Sequence, residues 1–228
     1  MTASQPEGPP EAAAGFVREA RASDAAELAR IQVASWRATL GGLVPAEVLA
    51  ELSGEASIGQ FTERWRDSIA SPPTSRHKVL VAYLPGAGDL AGFASIGPAT
   101  DEDRWPGTDG ELYEFHLLPS RTGEGHGGRL LHAVADTLAE DGFQTACTWV
   151  LAEDFARADF LKAAGWAPDG SQGNLDMGEK VPVLRFHTLI AGGTTPPKAP
   201  RLRGRPPLDP LPRGTRTTRG PWASRLPG

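Results

Sequence analysis

The sequence predicts an α/β domain with a mixed β-sheet (α+β) that carries helices on its faces. Three observations indicate this class. Short apolar runs of strand length alternate with longer segments of helical periodicity. A strand, a glycine-rich turn and an amphipathic helix follow one another directly between residues 111 and 140. The 228 residues, 39% of them hydrophobic, suffice for one full core with polar ends.

The first half of the chain begins with a short predicted strand, residues 16–19. The Ser-Asp pair ending at Asp24 can cap the helix that follows, and Asp24 and Glu27 have the spacing of a capping box. Pro45 opens a second helix, since proline suits the first helical turn. A third helix covers about residues 57–70.

Three strands are predicted in the middle of the chain. Residues 78–83 and 90–96 are joined by the turn PGAGD, which indicates a hairpin. An acidic loop, residues 101–109, then leads to the strand 111–118. After the glycine turn and its helix, the chain continues with a strand at 145–151 and a helix capped by Asp154. A strand at 183–190 closes the domain.

The glycine-rich turn is the most informative local feature. Glycine lacks a Cβ, so backbone N–H groups can approach a bound group closely, and the next helix directs its positive end at the same place. The helix runs to about Glu140 and ends at Gly142. This arrangement predicts a site for an anionic phosphate. The turn contains Gly123, Gly125, Gly127 and Gly128.

Two other phosphate motifs fit this turn poorly. A P-loop ends in Gly-Lys-Ser/Thr, whereas this chain has Gly127-Gly128-Arg129. The dinucleotide pattern G-x-G-x-x-G matches Gly123, Gly125 and Gly128. However, residues 119–122 separate the strand from the first glycine, which is too long for that tight turn. Only about forty ordered residues would follow the next strand, too few to complete a dinucleotide-binding domain.

Composition limits the cellular setting. The single cysteine, Cys147, excludes an internal disulfide framework and a cysteine-rich metal site. The histidines lack zinc-like spacing, so we expect no metal. No apolar run reaches about 18 residues, and the N-terminus has no basic-then-apolar signal pattern. We therefore expect a cytoplasmic protein with no membrane partner.

Charge and composition divide the chain into three parts. Residues 1–15 form a predicted disordered tail, residues 16–190 the folded domain, and residues 191–228 a disordered tail rich in Pro, Gly and Arg. The last segment carries a net charge of +7, although the whole chain carries −5. Aromatic residues are nearly absent from it, which favours an inert tail over a nucleic-acid partner. The sequence leaves open whether the protein forms a homodimer.

The glycine turn resembles the central motif of the GNAT superfamily of acyl-CoA N-acyltransferases, R/Q-x-x-G-x-G/A, which follows a strand and opens a helix. Other segments are similar to the family in the same order, and together they cover residues 16–190. The similar segments are FVREA (16–20), VASWRATLGGLVP (33–45), GELYEFHLLP (110–119), TGEGHG (122–127) and WVLAEDFARADFLKAAGWAPDG (149–170).

The resemblance implies a fold with two splayed central strands and acetyl-CoA as cosubstrate. The pantetheine arm would pair with the fourth strand as an added strand does, and the pyrophosphate would lie on the glycine turn. Trp36 and Arg37 are implied as substrate-pocket residues. The implied cofactor-binding residues are Phe115, His116, Leu117, Gly123, Glu124, Gly125, His126, Gly127, Gly128 and Asp154.

The resemblance is incomplete at the position of the general acid. Many family members have a tyrosine that protonates the departing thiolate, and this chain has Leu161 there. A base is still needed, because a lysine-type amine has a pKa near 10.4. We expect Glu111 to be the base, with Glu114 as second choice on the opposite strand face. Tyr113 shares the Glu111 face and is a candidate proton donor.

The resemblance therefore implies an N-acetyltransferase that moves an acetyl group from acetyl-CoA to a primary amine of a small molecule or peptide. The sequence does not identify this acceptor. Leu161 supports one alternative, a module of the same fold that binds acyl-CoA without turnover, as a sensor or partner protein.

Overall fold

A computed structural model describes residues 15–84, 89–176 and 180–190. The predicted N-terminal tail apart from Gly15, the predicted basic tail and most of the PGAGD turn lie outside these described residues. None of the helices within these ranges is long and apolar enough to cross a membrane.

The described residues form one seven-stranded sheet in the order β1-β2-β3-β4-β5-β7-β6. The strands are β1 (Phe16–Glu19), β2 (Lys78–Tyr83), β3 (Leu90–Pro98), β4 (Asp109–Leu117), β5 (Thr145–Leu151), β6 (Ala167–Asp176) and β7 (Lys180–Leu189). The longer helices are α1 (Ala25–Leu40), α2 (Ala46–Leu52), α3 (Glu55–Ala70), α4 (His126–Glu140) and α5 (Phe155–Ala163). This architecture confirms the predicted mixed sheet with helices.

Apolar side chains cover both faces of the sheet. On one face α4 buries Leu130, Leu131, Val134 and Leu138 against the central strands, at the spacing that its sequence predicts. On the other face α1 and α3 pack around Phe93 of β3. A smaller cluster joins α2 and the end of α1 to the β6–β7 hairpin. The sheet is thus the middle layer of three.

Strands β4 and β5 separate along their length, and this divergence creates the space for a site. They are parallel neighbours only over Asp109–Glu111 and 145–147. One side-chain bond follows, in which Thr148 Oγ1 donates to the Leu112 carbonyl over 2.8 Å. Beyond it the β5-facing backbone of β4 has no strand partner within residues 15–84, 89–176 and 180–190. All the other neighbouring strands pair antiparallel. The predicted splayed central strands are confirmed.

Two local predictions were incorrect. The Asp24 carboxylate does not cap α1; it accepts hydrogen bonds from Arg18 Nη1 and the Arg21 N–H, both at 2.7 Å, because a short 3₁₀ turn precedes the helix. Strand β6 was missed, since its sequence APDGSQGNLD lacks apolar alternation. It is an edge strand that pairs with β7 alone. The predicted cap at Asp154 is confirmed, with its carboxylate accepting the Arg157 N–H at 3.0 Å.

Candidate active site

A β-bulge in β4 determines which side chains face the space beside β5. Ser95 of β3 pairs with Glu114 and Ile96 pairs with Leu112, so Tyr113 is the extra residue. Leu112 and Phe115 consequently lie on the same face, in the cluster under α4.

The bulge corrects the prediction that Glu111 and Glu114 lie on opposite faces. A Cβ at Gly110 would meet Leu138 of α4, so the next residue, Glu111, faces away from α4. Glu114 and His116 follow the bulge and also face away from it. The His116 ring lies 6.3 Å from the Trp36 ring of α1. Four polar or aromatic side chains of one strand therefore share a face: Glu111, Tyr113, Glu114 and His116.

An open cleft of about 680 Å³ lies between α1, the bulged part of β4 and the diverging end of β5. We call it the acceptor cleft. Its walls are largely apolar and aromatic, with one carboxylate–imidazole pair, one arginine and one further carboxylate among them. The lining residues are Ser35, Trp36, Thr39, Leu40, Tyr113, Glu114, His116, Trp149, Val150, Leu151, Asp154, Arg157, Leu175 and Val183.

Glu114 and His116 form a hydrogen-bonded pair in this cleft. His116 Nε2 lies 2.7 Å from Glu114 Oε2, and the side chains are 4% and 12% exposed. The second carboxylate oxygen, Glu114 Oε1, has no hydrogen-bond partner among the described residues. The imidazole is held between Trp36 and Phe93. Glu114 Oε1 is therefore free, while Glu114 Oε2 is held by a buried imidazole.

Glu111 lies deeper and does not line the acceptor cleft. It is 2% exposed, and its Oε2 accepts hydrogen bonds from the N–H and the hydroxyl of Thr100, at 3.0 and 2.9 Å. Burial raises the pKa of Glu111 to about 7, and the two bonds from Thr100 oppose this shift. These contacts fit a carboxyl group that ties β4 to the loop after β3.

This raised pKa gives a prediction about stability. The unfolded Glu111 ionises near 4.5 and the folded one near 7, so the folded state holds the extra proton between these values. Its contribution to stability is therefore present at low pH and decreases as pH rises from about 4.5 to 7. Glu111→Gln should remove this decrease and raise the free energy of unfolding at pH 8 by roughly 1–3 kcal/mol.

Chemical denaturation of both proteins at pH 5 and pH 8 measures that difference. Glu140→Gln, at an exposed glutamate on α4, is the matched control and should change stability little at either pH. An equal effect of Glu111→Gln at the two pH values would contradict the raised pKa.

The other predicted pocket residues divide between the cleft and its surroundings. Trp36 lines the cleft and packs edge-on against Phe61 at 5.1 Å. Tyr113 also lines it, but its hydroxyl donates to the Pro98 carbonyl. Arg37 is exposed and donates to the Ser53 carbonyl at the end of α2, outside the cleft lining. The structure thus brings Trp36 and Tyr113, but not Arg37, to the cleft.

The predicted phosphate turn has the backbone that such a site needs. Gly123 and Gly125 have φ of +83° and +81°, a region that residues with a Cβ rarely adopt. The first intrahelical bond of α4 runs from the Arg129 N–H to the Gly125 carbonyl, at 3.2 Å. The N–H groups of residues 126–128 are therefore left at the helix end for an anion.

The side chains around this turn include two arginines, one glutamate and one histidine that contact one another. Arg121 Nη1 lies 3.6 Å from the Glu124 carboxylate, which is 45% exposed. The His126 ring is buried beneath the turn, with Nδ1 3.0 Å from Arg129 Nη2 and Nε2 3.3 Å from Glu124. The turn therefore offers an anion both backbone N–H groups and the positive charge of two arginines.

A groove of about 550 Å³ runs beside the acceptor cleft, along the unpaired side of β4. The cleft and the groove share Ser35, Thr39, Asp154 and Arg157. The groove is lined in addition by Phe115, Leu117 and Phe160. A Cβ at Gly127 of the phosphate turn would lie 3.0 Å from Leu117 and 3.5 Å from Phe160. The groove therefore adjoins the cleft, and the turn packs against two of the residues that line the groove.

Arg157 of α5 lies where the groove meets the cleft, and sequence reasoning did not find it. Its Nη2 donates to the Phe115 carbonyl over 2.8 Å, and its Nε lies 3.4 Å from Asp154. One signal was present in the sequence. Arg157 and Leu161 are four residues apart on one face of a helix, and Leu161 is 3% exposed. A charged residue on that core-facing side indicates an internal partner.

The acidic loop before β4 is largely neutralised. Arg185 of β7 is 4% exposed and donates to Asp101, Asp103 and Asp169 at 2.6–2.8 Å. Trp149 Nε1 also donates to Asp101, at 3.1 Å. The loop therefore holds one aromatic wall of the acceptor cleft in place.

Comparison with known proteins finds sequence similarity to one family. A sequence profile of the acetyltransferase (GNAT) family matches residues 46–166. The chain is 34% identical over 138 residues to YuaI, an uncharacterised N-acetyltransferase of Bacillus subtilis (strain 168). The match covers 60% of this chain and 72% of YuaI.

Two solved structures show the same fold with a cofactor bound. PaiA N-acetyltransferase from Thermoplasma acidophilum, in complex with coenzyme A, superposes with a TM-score of 0.57 at 17% identity, covering 75% of this chain and 98% of PaiA. YncA from Salmonella typhimurium, with acetyl-CoA, gives 0.58 at 16% identity, covering 81% and 98%. Identities this low bear on the fold alone.

Proposed function

Because the chain belongs to the GNAT family of acetyltransferases, we propose that it transfers the acetyl group of acetyl-CoA to a primary amine of a small molecule or peptide. One observation carries the proposal: the phosphate turn packs against the groove along β4, and that groove shares four lining residues with the acceptor cleft. They supply, in order, places for a pyrophosphate, an extended arm and an amine.

The residues of the turn and groove fit acetyl-CoA. The N–H groups of residues 126–128 and the positive end of α4 would hold the pyrophosphate. The β5-facing backbone of residues 115–117, apart from the Phe115 carbonyl that accepts a hydrogen bond from Arg157, would bind the pantetheine arm as an added strand. Asp154 caps α5 and lines both cavities, so its role is to orient the groove wall. When bound, acetyl-CoA supplies the acetyl thioester.

The base that the geometry favours is Glu114 rather than Glu111. Glu114 lines the cleft and has a free carboxylate oxygen. Glu111 is instead buried, and its carboxylate accepts hydrogen bonds from Thr100. An amine must lose a proton to become nucleophilic, and a positioned carboxylate, directly or through one water, can take it. His116 holds Glu114 in place through the hydrogen bond between Nε2 and Oε2. Tyr113 is a less suitable proton donor because the Pro98 carbonyl already accepts its hydrogen.

The cleft walls also suit an amine acceptor with an apolar body. Trp36 and Trp149 supply flat apolar surface, and Glu114 supplies a carboxylate in the lining of the same cleft. A protonated amine would be drawn to that carboxylate before it is deprotonated, and the aromatic faces favour a cation as well.

A second function is favoured by Leu161, which is 3% exposed in the core under α4. That position supplies no hydroxyl for a departing thiolate. A module that binds acyl-CoA without turnover would have no need of one.

A panel of amine acceptors separates the two functions. Amino acids, small amines, aminoglycosides and peptide N-termini would be incubated with acetyl-CoA, and released thiol and acetylated product measured. Cys147 is buried and adds little background thiol. We expect acceptor-dependent thiol release with one acetyl group gained by the amine. Tight acetyl-CoA binding without consumption of any amine would support the non-catalytic module instead.

A further inference from the structure

Arg157 lies at a position that the proposed reaction makes important. It lines both the groove and the acceptor cleft, and these cavities meet there. An acyl group that passes from an arm in the groove to an amine in the cleft must cross this junction. The Arg157 side chain is 27% exposed, so a ligand in either cavity can contact it.

The contacts of the guanidinium fix it but leave donors free. Nη2 donates to the carbonyl of Phe115, and Nε faces the Asp154 carboxylate. Nη1 has no hydrogen-bond partner among the described residues. Glu114 is the other charged group that acts on Arg157 electrostatically. A rigid, permanently charged group with an unused donor edge therefore stands at the junction.

We propose that Arg157 binds the sulfur of coenzyme A and stabilises it as the thiolate when the thioester is cleaved. This inference rests on the proposed function. Leu161 has no group that could stabilise the departing thiolate. In this inference an arginine one turn earlier on α5 does so instead.

The step balances without a general acid. The amine nitrogen forms a bond to the acetyl carbonyl carbon, and the carbon–sulfur bond breaks. Sulfur leaves with the electron pair as a thiolate. A protonated amine loses two protons in all: the first passes to Glu114 before attack, and the second passes to solvent after the carbon–nitrogen bond has formed. Arginine keeps its proton at any ordinary pH, so Arg157 stabilises the thiolate by charge and hydrogen bonds. Solvent protonates the thiolate after release.

The thiol pKa of bound coenzyme A tests the proposal without an acceptor amine. An opposite charge within about 4–6 Å lowers a pKa by about one to three units. The thiolate is followed by its ultraviolet absorbance as pH is varied, with desulfo-coenzyme A as the matched ligand that lacks sulfur. Burial raises the pKa of the Cys147 thiol, so that residue does not interfere. In the wild type, bound coenzyme A should titrate at least about one unit below free coenzyme A.

Three variants sharpen the test. Arg157→Gln should return the bound thiol to about its free pKa and keep coenzyme A affinity within about threefold. Arg157→Lys keeps a charge and should keep part of the shift. Lys162→Gln, at an exposed lysine of α5, should change neither quantity. With a suitable amine, Arg157→Gln should lower kcat by roughly 10²-fold, as loss of one charge-stabilising donor does.

The outcomes separate this inference from the proposed function. If coenzyme A binds but its thiol pKa is not lowered in the wild type, or is lowered equally in Arg157→Gln, the role of Arg157 is refuted and the function stands. Tighter coenzyme A binding by Arg157→Gln without a thiol shift would also refute it, because Arg157 would then block the groove. Failure of the wild type to bind coenzyme A would overturn the proposed function itself. Should Arg157→Gln not fold, the wild-type shift and Arg157→Lys still decide the question.

Discussion

Replacing Glu114 by glutamine should lower turnover by roughly 10²-fold or more and leave acetyl-CoA affinity nearly unchanged. The substitution keeps the size of the side chain and its hydrogen bond to His116 while it removes the basic carboxylate. A proton acceptor acts on the amine and not on the cofactor, so the loss belongs in kcat. Initial rates with a saturating acceptor, together with calorimetry of acetyl-CoA, measure the two quantities.

Glu111→Gln is the matched control, because the same substitution is made three residues away on the same strand. Glu111 is buried against Thr100 and does not line the cleft. We expect its turnover to stay within a few-fold of wild type, despite the altered pH dependence of stability. If Glu111→Gln loses turnover and Glu114→Gln does not, the first choice made from the sequence is correct and our assignment of the base is not.

Gly125→Val should weaken acetyl-CoA binding by roughly tenfold or more, about 1.4 kcal/mol. Gly125 has a φ of +81°, which a β-branched residue adopts only under strain. Relief of that strain would turn the free N–H groups at the start of α4 away from the pyrophosphate. The valine branch would also stand at the mouth of the turn. Calorimetry with acetyl-CoA on the folded variant gives the affinity.

Gly142→Val controls for the strain itself. Gly142 follows the other end of α4, has the same φ of +81°, and a Cβ there would meet nothing within 4 Å. This variant should lose stability comparably and keep its acetyl-CoA affinity. Equal affinity losses in the two variants would show that the effect at Gly125 is general destabilisation.

The backbone of the proposed cofactor turn could be predicted from sequence because its conformation is set locally. Gly123 and Gly125 lie between an apolar strand and an apolar helix, and each needs its conformation for reasons visible within a few residues. The binding that we propose there uses backbone N–H groups, so it depends little on side chains from distant segments. The positions of β2, β4, α4 and β5 could be predicted in the same way, from hydrophobic periodicity and from the residues that begin and end each element.

The catalytic side could not be predicted because it depends on pairing between distant segments. The bulge at Tyr113 exists only in register with Ser95 and Ile96 of β3. Strict alternation along β4 therefore placed Glu114 on the wrong face. Nothing near Glu111 in sequence reveals that Thr100 covers it.

The remaining differences have the same origin. Strand β6 is specified by its partner β7 and not by its own polar sequence. Arg157 is drawn inward by the carbonyl of Phe115, 42 residues away along the chain. Sequence patterns report such contacts only as local anomalies, here an arginine on the core side of a helix.

A crystal structure of the complex with acetyl-CoA would test the proposed binding mode most directly. We expect the pyrophosphate on the N–H groups of residues 126–128 and the pantetheine arm along residues 115–117. The thioester should lie at the junction beside Arg157, with its carbonyl carbon open to the acceptor cleft and to Glu114. Acetyl-CoA bound elsewhere, or with its thioester outside this junction, would contradict the account.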